Sequence, residues 1–195
     1  METLNENYWT QRYQLGNTGW DTGSITPPLK TYFDQLYDKN IKILIPGSGN
    51  SYEAAYLFEQ GFSQVYTVDI SKHPLEKFQQ QYPEFPPEQI LHQNFFQLDS
   101  TFDLIIEQTF FCALNPSLRP DYARKMHELL KPNGRLVGLL FDASLYQDHP
   151  PFGGSLQEYR QYFELYFHFH TFESAYNSIS PRLGSELFIN LKKKL

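Results

Sequence analysis

Short apolar runs alternate along this chain with stretches of helical spacing, and the alternation lays out most of its secondary structure. Ile41 to Ile45 is apolar, β-branched and bounded by Pro46-Gly47-Ser48-Gly49, which predicts a buried strand feeding a turn. A helical pattern runs from Tyr52 to Gln60 and stops at Gly61. Val65 to Asp69 predicts a second strand, Pro74 to Tyr82 a helix, Gln89 to His92 a weak third strand and Phe102 to Glu107 a fourth. Arg119 to Leu130 puts Tyr122, Met126, Leu129 and Leu130 on one helical face, and Pro132-Asn133-Gly134 stops it. Arg135 to Phe141 is so apolar that it belongs inside a sheet. Beyond a loop over 142–154, Leu156 to Leu165 reads as a helix. Phe167 to Phe172 alternates like a half-exposed strand, and Glu186 to Leu191 is expected to pair with it as an antiparallel edge. At the other end, a helix over Glu6 to Tyr13 sets Trp9 and Tyr13 on one face. Residues 16–23 form a glycine-rich loop, and Thr26-Pro27-Pro28 opens a helix to about Tyr37.

Strands alternating with helices predict an α/β fold, a mostly parallel sheet with helices on both faces, made mixed by the final antiparallel pair. The length suits one domain over 1–195, with 1–37 packed on it as an N-terminal segment. A formal charge of −6 argues against a basic nucleic-acid surface. Cys112 is the single cysteine, so neither an intrachain disulfide nor a cysteine-rich metal site is available. His168 and His170 share a strand face without a third ligand, so no metal is expected. No apolar run suits export or a membrane span. The expectation is a soluble, cytoplasmic monomer acting on a small molecule, with no nucleic-acid or membrane partner. The 17% aromatic content changes the picture, because much of it lies outside the strands, at Trp9, Tyr13, Trp20, Phe95-Phe96, Phe110-Phe111 and Phe152.

Strand, glycine turn and helix build a nucleotide-binding corner in open α/β sheets. Asp69 ends the next strand roughly 20 residues beyond the glycines, where an acid can accept from ribose hydroxyls. A cap for the following helix is its bland alternative. The turn lacks a third glycine, which speaks against a pyrophosphate cradle and for S-adenosylmethionine, with NAD and an oxidoreductase as the second reading. Asn94 and Phe95 follow the third strand, where Asn94 can bond an adenine edge and Phe95 flank its ring, the alternative being that Phe95 and Phe96 are simply core. Glu107 ends the fourth strand and either reaches a ligand's amino group or caps the next turn.

Across nearly its whole length the chain resembles the thiopurine methyltransferase superfamily, and most of all its halide/thiol methyltransferase branch. The residues that carry the resemblance are Trp9, Tyr13, Gly16, Thr18, Trp20-Asp21 and Gly23, then Pro28-Leu29, Ile45 to Gly49 and Val68 to Ser71. It continues through Phe95-Phe96, Phe102 to Ile105, Thr109 to Leu114, Arg119-Pro120, Leu129 to Pro132 with Gly134, and Pro150 to Phe152. The resemblance implies a Rossmann-like class I methyltransferase of seven strands, the last inserted antiparallel, with residues 1–37 as a lid. It implies S-adenosylmethionine as cofactor, held by Trp9, Tyr13, Trp20, Gly47, Gly49, Asp69, Ile70, Asn94, Phe95 and Glu107. Trp20, Phe110, Phe141 and Phe152 become candidates for the acceptor pocket. The chain departs from the branch at Tyr13 (usually tryptophan), Asn94 and Glu107 (usually aspartate) and Phe141 (usually tyrosine). The implied reaction is in-line methyl transfer to a thiol, sulfide, halide or thiopurine-like nucleophile, with no residue assigned as acid or base. A catalytically silent S-adenosylmethionine-binding protein is the other alternative.

Overall fold

The computed structural model describes residues 4–195, so the first three residues of the expected lid segment lie outside it. Seven strands form one sheet in the order β3-β2-β1-β4-β5-β7-β6. They are β1 (Ile43–Pro46), β2 (Val65–Asp69), β3 (Ile90–His92), β4 (Phe102–Gln108), β5 (Leu130–Phe141), β6 (Phe167–Ser174) and β7 (Glu186–Lys193). The first five pair in parallel, and β7 runs antiparallel to both of its neighbours. The helices are α1 (Glu6–Gln14), α2 (Pro27–Phe33), α3 (Tyr52–Glu59), α4 (Lys72–Gln81), α5 (Arg119–Leu129) and α6 (Leu156–Phe163).

Strand alternation divides the core between the two faces. Ile43, Ile45, Leu104 and Ile106 point to α2, α3 and α4. Leu44, Ile105, Leu136 and Leu140 point to α5 and α6. Both faces are covered, which is why these strands read as apolar runs. The order reverses between β1 and β4. Ligands of open α/β sheets bind in the crevice outside the carboxyl ends at such a switch point.

The structure departs from the sequence pattern in five places. β7 lies inside the sheet between β5 and β6, and β6 takes the edge. α2 ends at Phe33, and Gln35 and Leu36 continue only as i→i+3 turns. α4 starts at Lys72, with Pro74 in its first turn, where a missing N–H costs nothing. α6 ends at Phe163. The Pro132-Asn133-Gly134 break is absorbed into β5 as an irregularity opposite Phe102–Leu104, with Asn133 at φ +66°. No helix among the described residues is long and apolar enough to cross a membrane.

Candidate functional site

The carboxyl ends of β1, β2, β3 and β4 meet at a cavity of about 520 Å³ that α1 and the following loop cover from above. Its floor is the glycine turn. Gly47 and Gly49 stand at φ +58° and +49°, in the left-handed region that glycine occupies without strain. A Cβ on Gly47 would overlap the Phe110 ring, and one on Gly49 would lie 2.7 Å from the Tyr13 hydroxyl. The turn therefore brings bare backbone up to an aromatic wall.

Asp69 locks this turn from the next strand. Its Oδ2 accepts from the Gly49 N–H at 2.9 Å and its Oδ1 from the Ser71 N–H at 2.8 Å. Burial pushes its carboxyl above the usual range, and those backbone donors pull it back. Asp69 is thus a cap and a lining residue at once. Ser71 stands at the N-terminus of α4, but its hydroxyl bonds Thr10 Oγ1 of α1 at 2.9 Å instead of capping.

The roof is aromatic. Trp20 meets Trp9 and Tyr13 edge-on, with ring centres 5.5 and 5.7 Å away, and Tyr13 stacks on His73. Burial and then the charge of Asp69 push the Tyr13 phenol up, so it stays protonated. On the facing wall Phe95 and Phe110 meet edge-on at 5.2 Å. Ile70 and Asn94 also line the cavity. The side-chain Oδ1 of Asn94 accepts from the Phe96 N–H at 2.9 Å, which leaves its amide N–H groups and one Oδ1 lone pair to offer a ligand. The donor set suits a nucleoside with a cationic sulfur: rings for the cation and the base, a buried acid for hydroxyl groups, and a turn without side chains.

Three expected site residues lie elsewhere. Glu107 is fully buried beneath the floor, where Oε1 accepts from the N–H groups of Phe110 and Phe111 at 2.8 and 2.9 Å and Oε2 from the Tyr122 hydroxyl. It caps the turn at Phe111–Ala113 and does not line the cavity. Burial pushes its carboxyl up to about 7, and its three donors oppose the rise. Phe141 ends β5 outside the cavity, under the guanidinium of Arg182. Phe152 is packed in the core, and Pro150 and Pro151 line the cavity in its place.

The matching family profile, described as Thiopurine S-methyltransferase (TPMT), spans residues 4–187. The chain belongs to the thiopurine S-methyltransferase family. It is an S-adenosylmethionine-dependent methyltransferase. A probable thiol methyltransferase 2 of Arabidopsis thaliana is 31% identical over 95% of this chain and 84% of its own length. Thiocyanate methyltransferase 1 of Brassica oleracea is 31% identical over 98% and 87%. Among solved structures, the Burkholderia thailandensis 1,6-didemethyltoxoflavin-N1-methyltransferase shares the fold, with a TM-score of 0.77 at 18% identity, over 97% of this chain and 87% of that one.

Several lining residues were not among the expected site residues. Glu53, in the first turn of α3, is buried yet borders the cavity, and burial pushes its carboxyl up to about 7. Arg12 also borders it, donating to the Tyr8 hydroxyl at 2.8 Å. Gln108 and Cys112 come from the end of β4 and the turn after it. Burial pushes the Cys112 thiol far up and keeps it protonated, so it is not a nucleophile. No group of three metal-ligating side chains occurs among the described residues.

Proposed function

We propose that this family member moves the methyl group of S-adenosylmethionine to a small soft nucleophile: a thiol, hydrogen sulfide, thiocyanate, a halide or a thiopurine-like ring. The observation that carries the reading is the aromatic lining over a bare glycine floor, with no histidine among the described residues that border the cavity. In this reading Gly47 and Gly49 admit the cofactor to the backbone and Asp69 accepts from its ribose. Asn94 and Phe95 flank its adenine, and Trp9, Tyr13 and Trp20 face its sulfur, with Trp20 and Phe110 also meeting the acceptor. When bound, the cofactor supplies a methyl group activated by a positively charged sulfur.

The residues' own work is orientation and exclusion of water. Orientation lowers such barriers by roughly 7–11 kcal/mol in favourable cases, and aromatic faces attract a cation by about 0.5–2 kcal/mol. A thiol with a pKa of about 8.5 ionises without help from the protein, so a base is not required. Excluding water strips the hydration shell from the attacking anion, and a soft anion loses a weaker shell than a hard one.

Calorimetric titration with S-adenosylmethionine, followed by mass spectrometry of products from thiols, sulfide, thiocyanate, halides and thiopurines, tests this directly. Binding and a methylated sulfur product are expected. An absence of binding at millimolar ligand would sink the reading, and binding without product from any nucleophile would mark a silent binding protein. Asp69→Ala should abolish binding, since it removes the proposed ribose acceptor and frees the Gly49 N–H together.

A further inference from the structure

Arg182 belongs to no motif and lies outside the cavity, on a 3₁₀ turn (Ser180–Arg182) in the connection between β6 and β7. Yet it is only 8% exposed, and its contacts converge on the site. Its Nη2 donates to the main-chain carbonyl of Trp20 at 2.6 Å, across most of the chain's length. Its Nη1 reaches Glu186 Oε1 at 3.3 Å, and its guanidinium carbon lies 5.3 Å from the centre of the Phe141 ring. Glu53, at the cavity wall, lies in its field.

The loop that carries Trp20 needs such an anchor. Residues 15–26 contain neither helix nor strand, and an irregular segment of this length holds its shape only through its contacts. Two side chains at the start of α3 hold Asp21 in an exposed position: Asn50 donates to its Oδ2 at 2.7 Å, and the Tyr52 hydroxyl bonds it as well. Arg182 holds Trp20 itself, through a part-buried, charge-assisted bond, which is the stronger kind.

We propose that Arg182 is a positioning residue for methyl transfer: its bond to the Trp20 carbonyl latches the aromatic lid over the cofactor cavity. The β6–β7 connection, which touches no ligand, then sets cofactor affinity. The proposal rests on the reading that the cofactor lies beneath Trp20, and one arm of its test needs no cofactor.

Removing Arg182 alone leaves Glu186 buried without its partner, so the informative variant is Arg182→Met combined with Glu186→Gln, with Arg182→Lys as the conservative companion. Two readouts are followed in protein shown to be folded by circular dichroism. The first is calorimetric affinity for S-adenosylhomocysteine. The second is acrylamide quenching of Trp20 fluorescence in ligand-free protein carrying Trp9→Phe, which leaves Trp20 as the single indole. The double variant should bind about tenfold more weakly, the size of effect a lost charge-assisted hydrogen bond produces. Its Trp20 should also quench more readily, Arg182→Lys should fall between, and the loss should appear in KM for the cofactor rather than in kcat. Unchanged quenching in the folded double variant overturns the latch, whatever the affinity does. If the wild-type chain fails to bind S-adenosylhomocysteine, the cofactor reading falls, and the quenching arm still decides whether Arg182 holds the loop.

Discussion

At the scale of single residues, the site depends on the absence of side chains at the glycine turn. Gly47→Ala would force an L-residue to φ +58° and drive its Cβ into Phe110. Left-handed strain costs about 1–2 kcal/mol and overpacking a further 1–3, so roughly 2–5 kcal/mol of stability should go. Urea unfolding would measure that loss, and calorimetry should show cofactor affinity falling with it, because the displaced ring is part of the cavity wall. Glu107 shows where sequence reasoning stopped at this scale. An acid ending a strand can serve a ligand or cap a turn, and composition does not choose. Period-two alternation does: Glu107 shares its face with Ile105, which packs toward α5, and there the Tyr122 hydroxyl meets it. Arg182 had no such signal, since one arginine in a polar connection reads as solvated.

At the scale of elements, the parallel strands and the aromatic α1 were legible because burial on both faces and helical spacing leave direct traces in the residue pattern. The position of β7 was not legible from periodicity, which marks a strand without naming its neighbours. Only the resemblance implied an inserted last strand, and the slot between β5 and β6 is where the topology has it. The loop over 142–154 was legible as a loop, though not what holds it. Arg119, 2% exposed at the start of α5, pairs with Glu158 of α6 at 2.6 Å and donates to the Gly153 carbonyl at 2.8 Å. It thereby ties two helices to the loop that brings Pro150 and Pro151 to the cavity. Arg119→Ala should cost about 3 kcal/mol, because it leaves a hole where a buried side chain packed and the Gly153 carbonyl without its donor, while Glu158 stays partly solvated. Denaturant unfolding checks the figure. Arg119→Lys should recover only part of it, because an ammonium lacks the planar fork that reaches both partners.

At the scale of the whole molecule, the buried acids set stability and cofactor binding against each other. Glu53 and Glu107 are both held up to about 7 by burial, above an ordinary value of 4.5, and Asp69 is raised as well. Between these limits the folded chain binds protons that the unfolded chain has already released. Stability therefore falls as pH rises from about 4.5 to 7 and levels off above. The lowered acids Asp34, Glu76 and Asp103 are exposed or partly exposed partners of lysines and release their protons below this range, so they offset little of it. Glu107→Gln keeps an oxygen for the two backbone donors and turns an N–H toward the Tyr122 oxygen, so the fold should survive. Combined with Glu53→Gln, it should flatten the slope in urea midpoints taken across that range. Cofactor binding should respond in the opposite sense. Glu53 and Asp69 border the cavity, and a sulfonium cation there favours their ionised forms. Affinity for S-adenosylmethionine should therefore strengthen as pH rises toward and through 7, while affinity for S-adenosylhomocysteine, whose sulfur is neutral, should change much less. Parallel calorimetric titrations of the two ligands isolate the term, and a ratio of affinities independent of pH would show that neither carboxylate feels the charged sulfur.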